Sequence, residues 1–268
     1  MKDQPLLKEA IVTGAYGAIG TAIAAGIVAA GGWHVTLVGR DPVKLEETRQ
    51  QLQRVHPSVN IGTETVDLGL HSDIRSFSQR WNKPLHLLVN NAATAPRKRT
   101  ETAEGIEIQW ATNVLGYFWM IRYFAPFMKE AGHARIINVA SYWAGGLDLA
   151  DPEYRSRQYD NDAAYRQAKQ ADRMLSVAFA GRLRNTGITV NACHPGDVNS
   201  KLSNFFGFGG SETPEEGAST PLYLALSKEA EGITGKYFEH RALANCRFSS
   251  DAEAVNRLFR LCDSRFPE

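Results

Sequence analysis

The sequence predicts an α/β fold: a doubly wound parallel sheet of about seven strands with helices on both faces. Three observations predict it. Short apolar runs alternate with helix-length segments through most of the chain, the βαβ rhythm of a parallel sheet. The run at 85–89 is apolar apart from His86, as in a strand buried on both faces. A glycine-rich turn follows the first apolar run and opens a helix, a junction built for close packing of helix on sheet.

The elements follow in order. Residues 8–13 form the first strand. Gly14-Ala15-Tyr16-Gly17-Ala18-Ile19-Gly20 and an Ala/Ile/Val helix come next. The second strand is 34–38. A polar helix with Leu45 and Leu52 opens at Asp41-Pro42, where the fixed φ of proline suits a first turn. The third strand, 61–66, ends at Asp67, and a helix around Ile74, Phe77 and Trp81 leads to the fourth strand at 85–89. A long helix is predicted over 102–130, bent or interrupted by Pro126. Its aromatic run, Tyr117-Phe118-Trp119 and Tyr123-Phe124, reads as helix core and subunit interface. Strand 135–139, an irregular segment 142–160, helix 162–184 and strand 188–192 follow. After a Pro-Gly loop come a short helix near 214–227, a strand 235–238 and a last helix near 251–262. No linker, repeat or low-complexity tract divides the chain, so one domain over 1–268 is expected, with a cofactor half near 8–100 and a catalytic and substrate half near 101–268.

Composition narrows the function. Hydrophobic residues are 43% and charged residues 22% of 268, an ordinary globular balance. The 30 Lys and Arg nearly match the 29 Asp and Glu. The chain lacks the broad basic field of a general nucleic-acid binder, and no nucleic-acid partner is expected. Three cysteines, at 193, 246 and 262, are an odd number at wide spacing. They argue against a disulfide framework and for a reducing, cytoplasmic compartment. Residues 1–10 carry no secretory core, and the small-apolar run 18–30 is too short to span a bilayer comfortably. The His and Cys residues make neither a His-Glu-x-x-His nor a Cys-x-x-Cys spacing, so no metal is expected.

In such sheets, ligands bind beyond the carboxyl ends of the strands. Gly14, Gly39-Arg40, Asp67, Asn90-Asn91, Ser141 and Pro195-Gly196 all follow strands. Gly14, Gly17 and Gly20 span a strand–turn–helix junction where backbone can approach a phosphate at a helix N-terminus. The same spacing also suits a purely structural turn. At the end of the second strand an acidic residue commonly binds a ribose 2′-hydroxyl. Here that position is Gly39, and Arg40 follows. Arg40 is read as binding a 2′-phosphate; the alternative is a solvated pair with Asp41. Tyr165 and Lys169 lie four apart, so a helix places phenol and ammonium on one face. A neighbouring cation stabilises phenolate and prepares a tyrosine for proton transfer.

Taken together these residues resemble the short-chain dehydrogenase/reductase family over roughly 8–240. The motifs are Thr13 through Gly20, Asp67, Asn90-Asn91-Ala92-Ala93, Asn113, Ser141, Tyr165-x-x-x-Lys169 and Pro195-Gly196-Asp197-Val198. Residues 191–198 and 235–238 resemble its retinol-dehydrogenase-like branch. The resemblance implies a Rossmann-type fold and NADP(H) as cofactor. Tyr165 would be the acid/base and Lys169 its cation, also holding the nicotinamide ribose. Ser141 would bond the substrate oxygen, and Asn113 would hold a relay water. Gly14, Tyr16, Gly17, Ala18, Ile19 and Gly20 would cradle the cofactor, with Arg40, Asp67, Leu68, Asn91, Ala92 and Ala93. Pro195, Gly196, Val198 and Ser200 would meet its carboxamide end.

The chain departs from the family pattern in three places. Ala93 replaces the usual glycine, Ser200 replaces a threonine, and Ser141 and Tyr165 lie 24 positions apart, about twice the usual family spacing. None removes a reacting group. Residues 201–211, rich in Phe and Gly, read as a flexible lid. Tyr142, Trp143, Phe205 and Phe208 would wall the pocket for an apolar carbonyl or alcohol. Its Phe residues could instead pack on the domain or a neighbouring subunit. His194 reads as a loop-positioning residue. Two other functions are weighed: a catalytically silent NADP(H)-sensing protein, against which the full Asn113–Ser141–Tyr165–Lys169 set argues, and a sugar-nucleotide epimerase, against which the short C-terminal portion argues. A homodimer or homotetramer paired through the helices before Ala131 and through Tyr165 is expected.

Overall fold

A computed structural model describes residues 7–266. Residues 1–6, part of the stretch read for a secretory core, lie outside the described residues, as do 267–268. Eight strands form one sheet in the order β3-β2-β1-β4-β5-β6-β7-β8. They are β1 (Lys8–Thr13), β2 (Trp33–Gly39), β3 (Ile61–Thr65), β4 (Leu87–Asn90), β5 (Ala134–Val139), β6 (Ile188–Cys193), β7 (Tyr237–Glu239) and β8 (Ala242–Ala244). The pairs from β3 through β7 are parallel, and β8 runs antiparallel to β7. The doubly wound sheet is thus as expected, with one strand more than the seven foreseen. That strand returns through His240 and Arg241, both at positive φ. This is the backbone of a tight hairpin without the Asn-Gly or Asp-Gly signal that usually announces one.

Side-chain alternation along each strand feeds two cores. On β1, Ala10 and Val12 point to the side covered by α1 (Ala18–Ala29), α2 (Pro42–Val55) and α7 (Pro214–Leu226). Ile11 points to the other side, covered by α3 (His71–Arg80), α4 (Gly116–Glu130), α5 (Asn161–Arg182) and α8 (Ala252–Asp263). The remaining helix, α6 (Lys201–Phe206), lies in the loop after β6.

One expectation is corrected. The long helix predicted over 102–130 is shorter and compound. Residues 102–107 turn instead, with Gly105 at positive φ. The Glu104 carboxylate accepts from His71 and Ser72 N–H at the start of α3. A π-helix, Trp110–Leu115, then leads into α4, which runs on through Pro126. Part of the apolar surface of α4 and α5 packs against the C-terminal segment of the same chain. Phe259 packs on Phe118 and Phe179 with ring centres 5.1 and 5.2 Å away, and the Trp119 indole donates to Arg265 O at 3.1 Å. The aromatic run of α4 is helix core, as read from sequence; Tyr117, Phe118, Trp119 and Phe124 are fully buried.

Candidate active site

The site is assembled where the strands end. After β1, Gly14 adopts φ 63°, and a Cβ there would stand 2.8 Å from Ala92 Cα. A Cβ on Gly20 would lie 2.2 Å from Gly14 O. The loop therefore closes only with bare backbone. Gly17 precedes α1 with no side-chain cap, and the first turn carries no acidic residue. Its first N–H groups and the positive end of the helix dipole are left for an anion. These features fit the pyrophosphate of a dinucleotide.

After β2, a Cβ on Gly39 would lie 2.5 Å from Tyr16 Cε1. The Tyr16 ring thus occupies the space of the expected acid. Asp41 does not pair with Arg40. It caps α2 through Lys44 N–H at 3.2 Å and pairs with Lys44 Nζ at 2.5 Å. Arg40 is exposed, with no carboxylate within ion-pair distance among the described residues. Lys44 also stands 5.7 Å over the Tyr16 ring. It is a second cation at this corner that the sequence reading missed. A lysine three residues after an Asp that caps a helix was the available signal.

Beyond β3, Asp67 Oδ1 accepts from Gly69 N–H at 2.9 Å, fixing the turn, and Leu68 is buried behind it. Beyond β4, Thr13 Oγ1 accepts from the N–H groups of Asn91 and Ala92, and Asn91 Nδ2 donates to Thr13 O. Asn91 is thereby spent on joining β4 to β1. Ala93 is exposed, so its methyl meets no crowding. Asn113, buried in the π-helix, clamps the backbone of Thr94: its Oδ1 accepts from Thr94 N–H at 2.8 Å and its Nδ2 donates to Thr94 O at 2.9 Å.

Ser141 follows β5, and its Oγ accepts from Trp143 N–H at 3.0 Å, leaving its own proton to donate elsewhere. The long segment before α5 is folded. Asp151 accepts from the N–H groups of Arg155, Ser156 and Arg157. Burial opposes its charge, but these bonds hold the carboxyl down at about 2. Gln167 on α5 ties in Arg157 and Pro152 O. The extra length between Ser141 and Tyr165 is thus taken up beside α5, and both residues border one cavity.

Tyr165 and Lys169 share a face of α5, with Lys169 Nζ 5.8 Å from the Tyr165 ring centre. Burial pushes the Tyr165 phenol up; Lys169 pulls it down and Asp172 pushes it up, leaving it above its ordinary value. The expected lowering by Lys169 is present and outweighed, because the phenol lies in a desolvated wall and a carboxylate stands near the cation.

The cavity holds about 500 Å³ and is bordered by Ser141, Tyr142, Trp143, Tyr165, Phe206 and Phe208, with Pro195, Gly196, Val198 and Ser200 along its rim. Phe206 and Phe208 stack at 6.1 Å, and Trp143 meets both edge-on at 5.4 and 5.8 Å. Phe205 is a correction. It turns away from the cavity, under the Arg97 guanidinium at 4.9 Å. The reason is helical: Leu202 and Phe206, four apart on α6, share the inward face and both border the cavity. Ser200 starts that helix, its Oγ accepting from Ser203 N–H. The far end of the loop is pinned where Ser211 and Glu212 N–H donate to Asp197 O. His194 is buried with its ring edge against Tyr142 at 4.6 Å. Burial pulls its imidazole down to about 4, so it is uncharged at neutral pH. Among the described residues no cluster of His, Cys, Asp and Glu could hold a metal ion.

Comparison with known proteins agrees with this geometry. A family model described as short chain dehydrogenase matches residues 8–206. Retinol dehydrogenase 13 of Mus musculus is 32% identical over 273 residues, covering 94% of this chain and 81% of its own length. A solved structure of an uncharacterised protein from Mycobacterium paratuberculosis superposes with a TM-score of 0.81 at 24% identity, covering 98% of both chains. A variant actinorhodin polyketide ketoreductase with NADPH gives 0.68 at 24% identity, covering 87% of this chain and 95% of that one. The chain belongs to the short-chain dehydrogenase/reductase family. Within it, the chain is retinol-dehydrogenase-like, an oxidoreductase using a nicotinamide cofactor.

Proposed function

We propose that this protein is an NADP(H)-dependent carbonyl reductase or alcohol dehydrogenase acting on a small, mainly apolar molecule. The observation that carries the reading is a single cavity bordered by Ser141, Tyr165 and a wall of Trp143, Phe206 and Phe208. Two groups able to bond one substrate oxygen stand beside an aromatic wall, with His194, Asp197, Ser200 and Ser211 elsewhere in the lining.

The cofactor, when bound, supplies or accepts the hydride at its nicotinamide ring. Everything else falls to the chain. Gly14, Gly17 and Gly20 admit the pyrophosphate to the open end of α1, lined by Tyr16, Ala18 and Ile19. Arg40 takes the 2′-phosphate through charge-assisted bonds. Asp67 and Leu68 flank the adenine, and Asn91, Ala92 and Ala93 floor the cleft. Pro195, Gly196, Val198 and Ser200 hold the carboxamide end. In reduction Tyr165 Oη gives its proton to the carbonyl oxygen, and in oxidation it takes that proton from the alcohol. Ser141 Oγ donates to the same oxygen and holds it in line. The Lys169 ammonium stabilises the phenolate left behind, and Asn113 steadies the loop beneath. The loop 201–211 closes Phe206 and Phe208 over the substrate and excludes water.

The three cysteines stand as free thiols, two of them buried, which supports a reducing, cytoplasmic setting. No helix of the described residues is long and apolar enough to cross a membrane. A homodimer or homotetramer paired through the helices before Ala131 and through Tyr165 is part of this reading. The test is direct. Nicotinamide fluorescence should rise when NADPH is added, and absorbance at the reduced cofactor's band should fall with a panel of apolar aldehydes and ketones. Binding without oxidation across the whole panel would leave a silent NADP(H)-binding protein instead.

A further inference from the structure

Lys169 and Asp172 are both fully buried on α5. Lys169 Nζ donates to Asp172 Oδ2 at 2.9 Å and to Val139 O at 3.0 Å. Two of its three N–H groups are therefore committed to these two acceptors, and the ammonium stands 5.1 Å from the Tyr117 ring centre and 5.8 Å from that of Tyr165. Asp172 Oδ1 has no hydrogen-bond partner. The titratable groups facing the pair come from four elements: Tyr165 on α5, Tyr117 on α4, Cys193 on β6 and Cys262 on α8. Burial pushes the Tyr117 phenol and both thiols up, so all three are neutral near pH 7. Among the described residues, Asp172 is the one carboxylate paired with this ammonium.

A buried ammonium without a partner sheds its proton; the fall can reach about 3–5 pH units. Burial pulls Lys169 down as well, but Asp172 foremost, with Tyr117 and Tyr165, outweighs it and leaves the group above its ordinary value. The Asp172 carboxyl is itself pushed up by burial and drawn back by Lys169.

We propose that Asp172 is a positioning residue of the active site, whose buried carboxylate anchors the Lys169 ammonium and keeps it charged beside Tyr165. The inference rests on Tyr165 and Lys169 acting as the acid/base pair. The Tyr-x-x-x-Lys spacing ends at 169 and says nothing of 172. Only the fold shows that the next turn of α5 brings a carboxylate to the same ammonium.

The sign of the effect follows. Reduction needs a protonated Tyr165 and a charged Lys169, so activity falls as pH rises through the first of these to lose its proton. In Asp172→Asn the amide oxygen still accepts the Lys169 hydrogen bond but brings no charge. The ammonium then loses its proton at lower pH, and activity is lost earlier on the alkaline side. The experiment is the pH profile of kcat/KM for NADPH-dependent carbonyl reduction by the full chain, for wild type, Asp172→Asn and Asp172→Ser. Both variants should move the alkaline limb down by about 1–3 pH units. A uniform loss at every pH with the limb unmoved would overturn the proposal, because it would mark a structural role alone. Failure of both variants to fold would overturn it too, by making the pair a requirement of the fold. Tyr165→Phe measured alongside separates the two readings. If it retains turnover, the acid/base reading fails. If it loses turnover while the Asp172 limb stays in place, this inference alone fails.

Discussion

A side chain on Gly39 would collide with the Tyr16 ring, 2.5 Å from Cε1, so the end of β2 carries no carboxylate to bond a ribose hydroxyl. Arg40 stands there without an ion pair because Asp41 is engaged by Lys44. This corner is cationic, which supports the proposed preference for a phosphorylated ribose. Arg40→Ala should weaken NADPH binding by about 1.4 kcal/mol, a factor of roughly ten, and leave NADH nearly unchanged. Fluorescence titration with both cofactors checks it; equal losses would make Arg40 a support of the fold. The sequence displayed Gly39, Arg40 and the Tyr165–Lys169 pair because each is a contiguous or one-turn relation. It hid the Tyr16–Gly39 contact, which depends on how a loop lies across a strand; Lys169 and Asp172 are also one turn apart, and what the sequence hid there is the depth at which that helix face is buried.

At the scale of elements, α6 decides which of its aromatics border the cavity. The stretch 201–211 reads as a Phe- and Gly-rich loop, yet Ser200 and Ser203 form a capping box and give it one and a half turns of helix. That helical twist sends Phe206 inward and Phe205 out toward Arg97. Phe206→Ala should lower kcat/KM for bulky apolar carbonyls by about 2 kcal/mol, roughly 30-fold, and scarcely affect small ones. Phe205→Ala should leave the size dependence as it is. A matched series of aldehydes and ketones of graded size decides between them, and an effect of Phe205 equal to that of Phe206 would contradict this packing. The strand–helix alternation was legible because period and turn residues announce it. The π-helix before α4 was not, since Trp110 through Leu115 carries an apolar pattern that an ordinary helix shares. Nor was the β7–β8 hairpin, whose His240-Arg241 turn lacks glycine.

For the whole molecule, the C-terminal helix closes the face that α4 and α5 would otherwise expose. Val255, Leu258 and Phe259 are buried there, each contributing about 2 kcal/mol of apolar burial. Removing residues 251–268 should therefore uncover Phe118 and Phe179 and drive association or aggregation, seen as a rise in mass by light scattering. A truncated chain of unchanged mass and melting temperature would contradict this account of α8. The account as a whole turns on one phenol at the meeting point of the cofactor half and the substrate half. The most direct measurement is steady-state carbonyl reduction by Tyr165→Phe beside NADPH affinity from fluorescence. Turnover should fall by about 10²–10⁴-fold, with NADPH affinity within about twofold of wild type, because the ring still packs against Trp143 and Phe206. Wild-type kcat in Tyr165→Phe would contradict the assignment of Tyr165 as the acid and base.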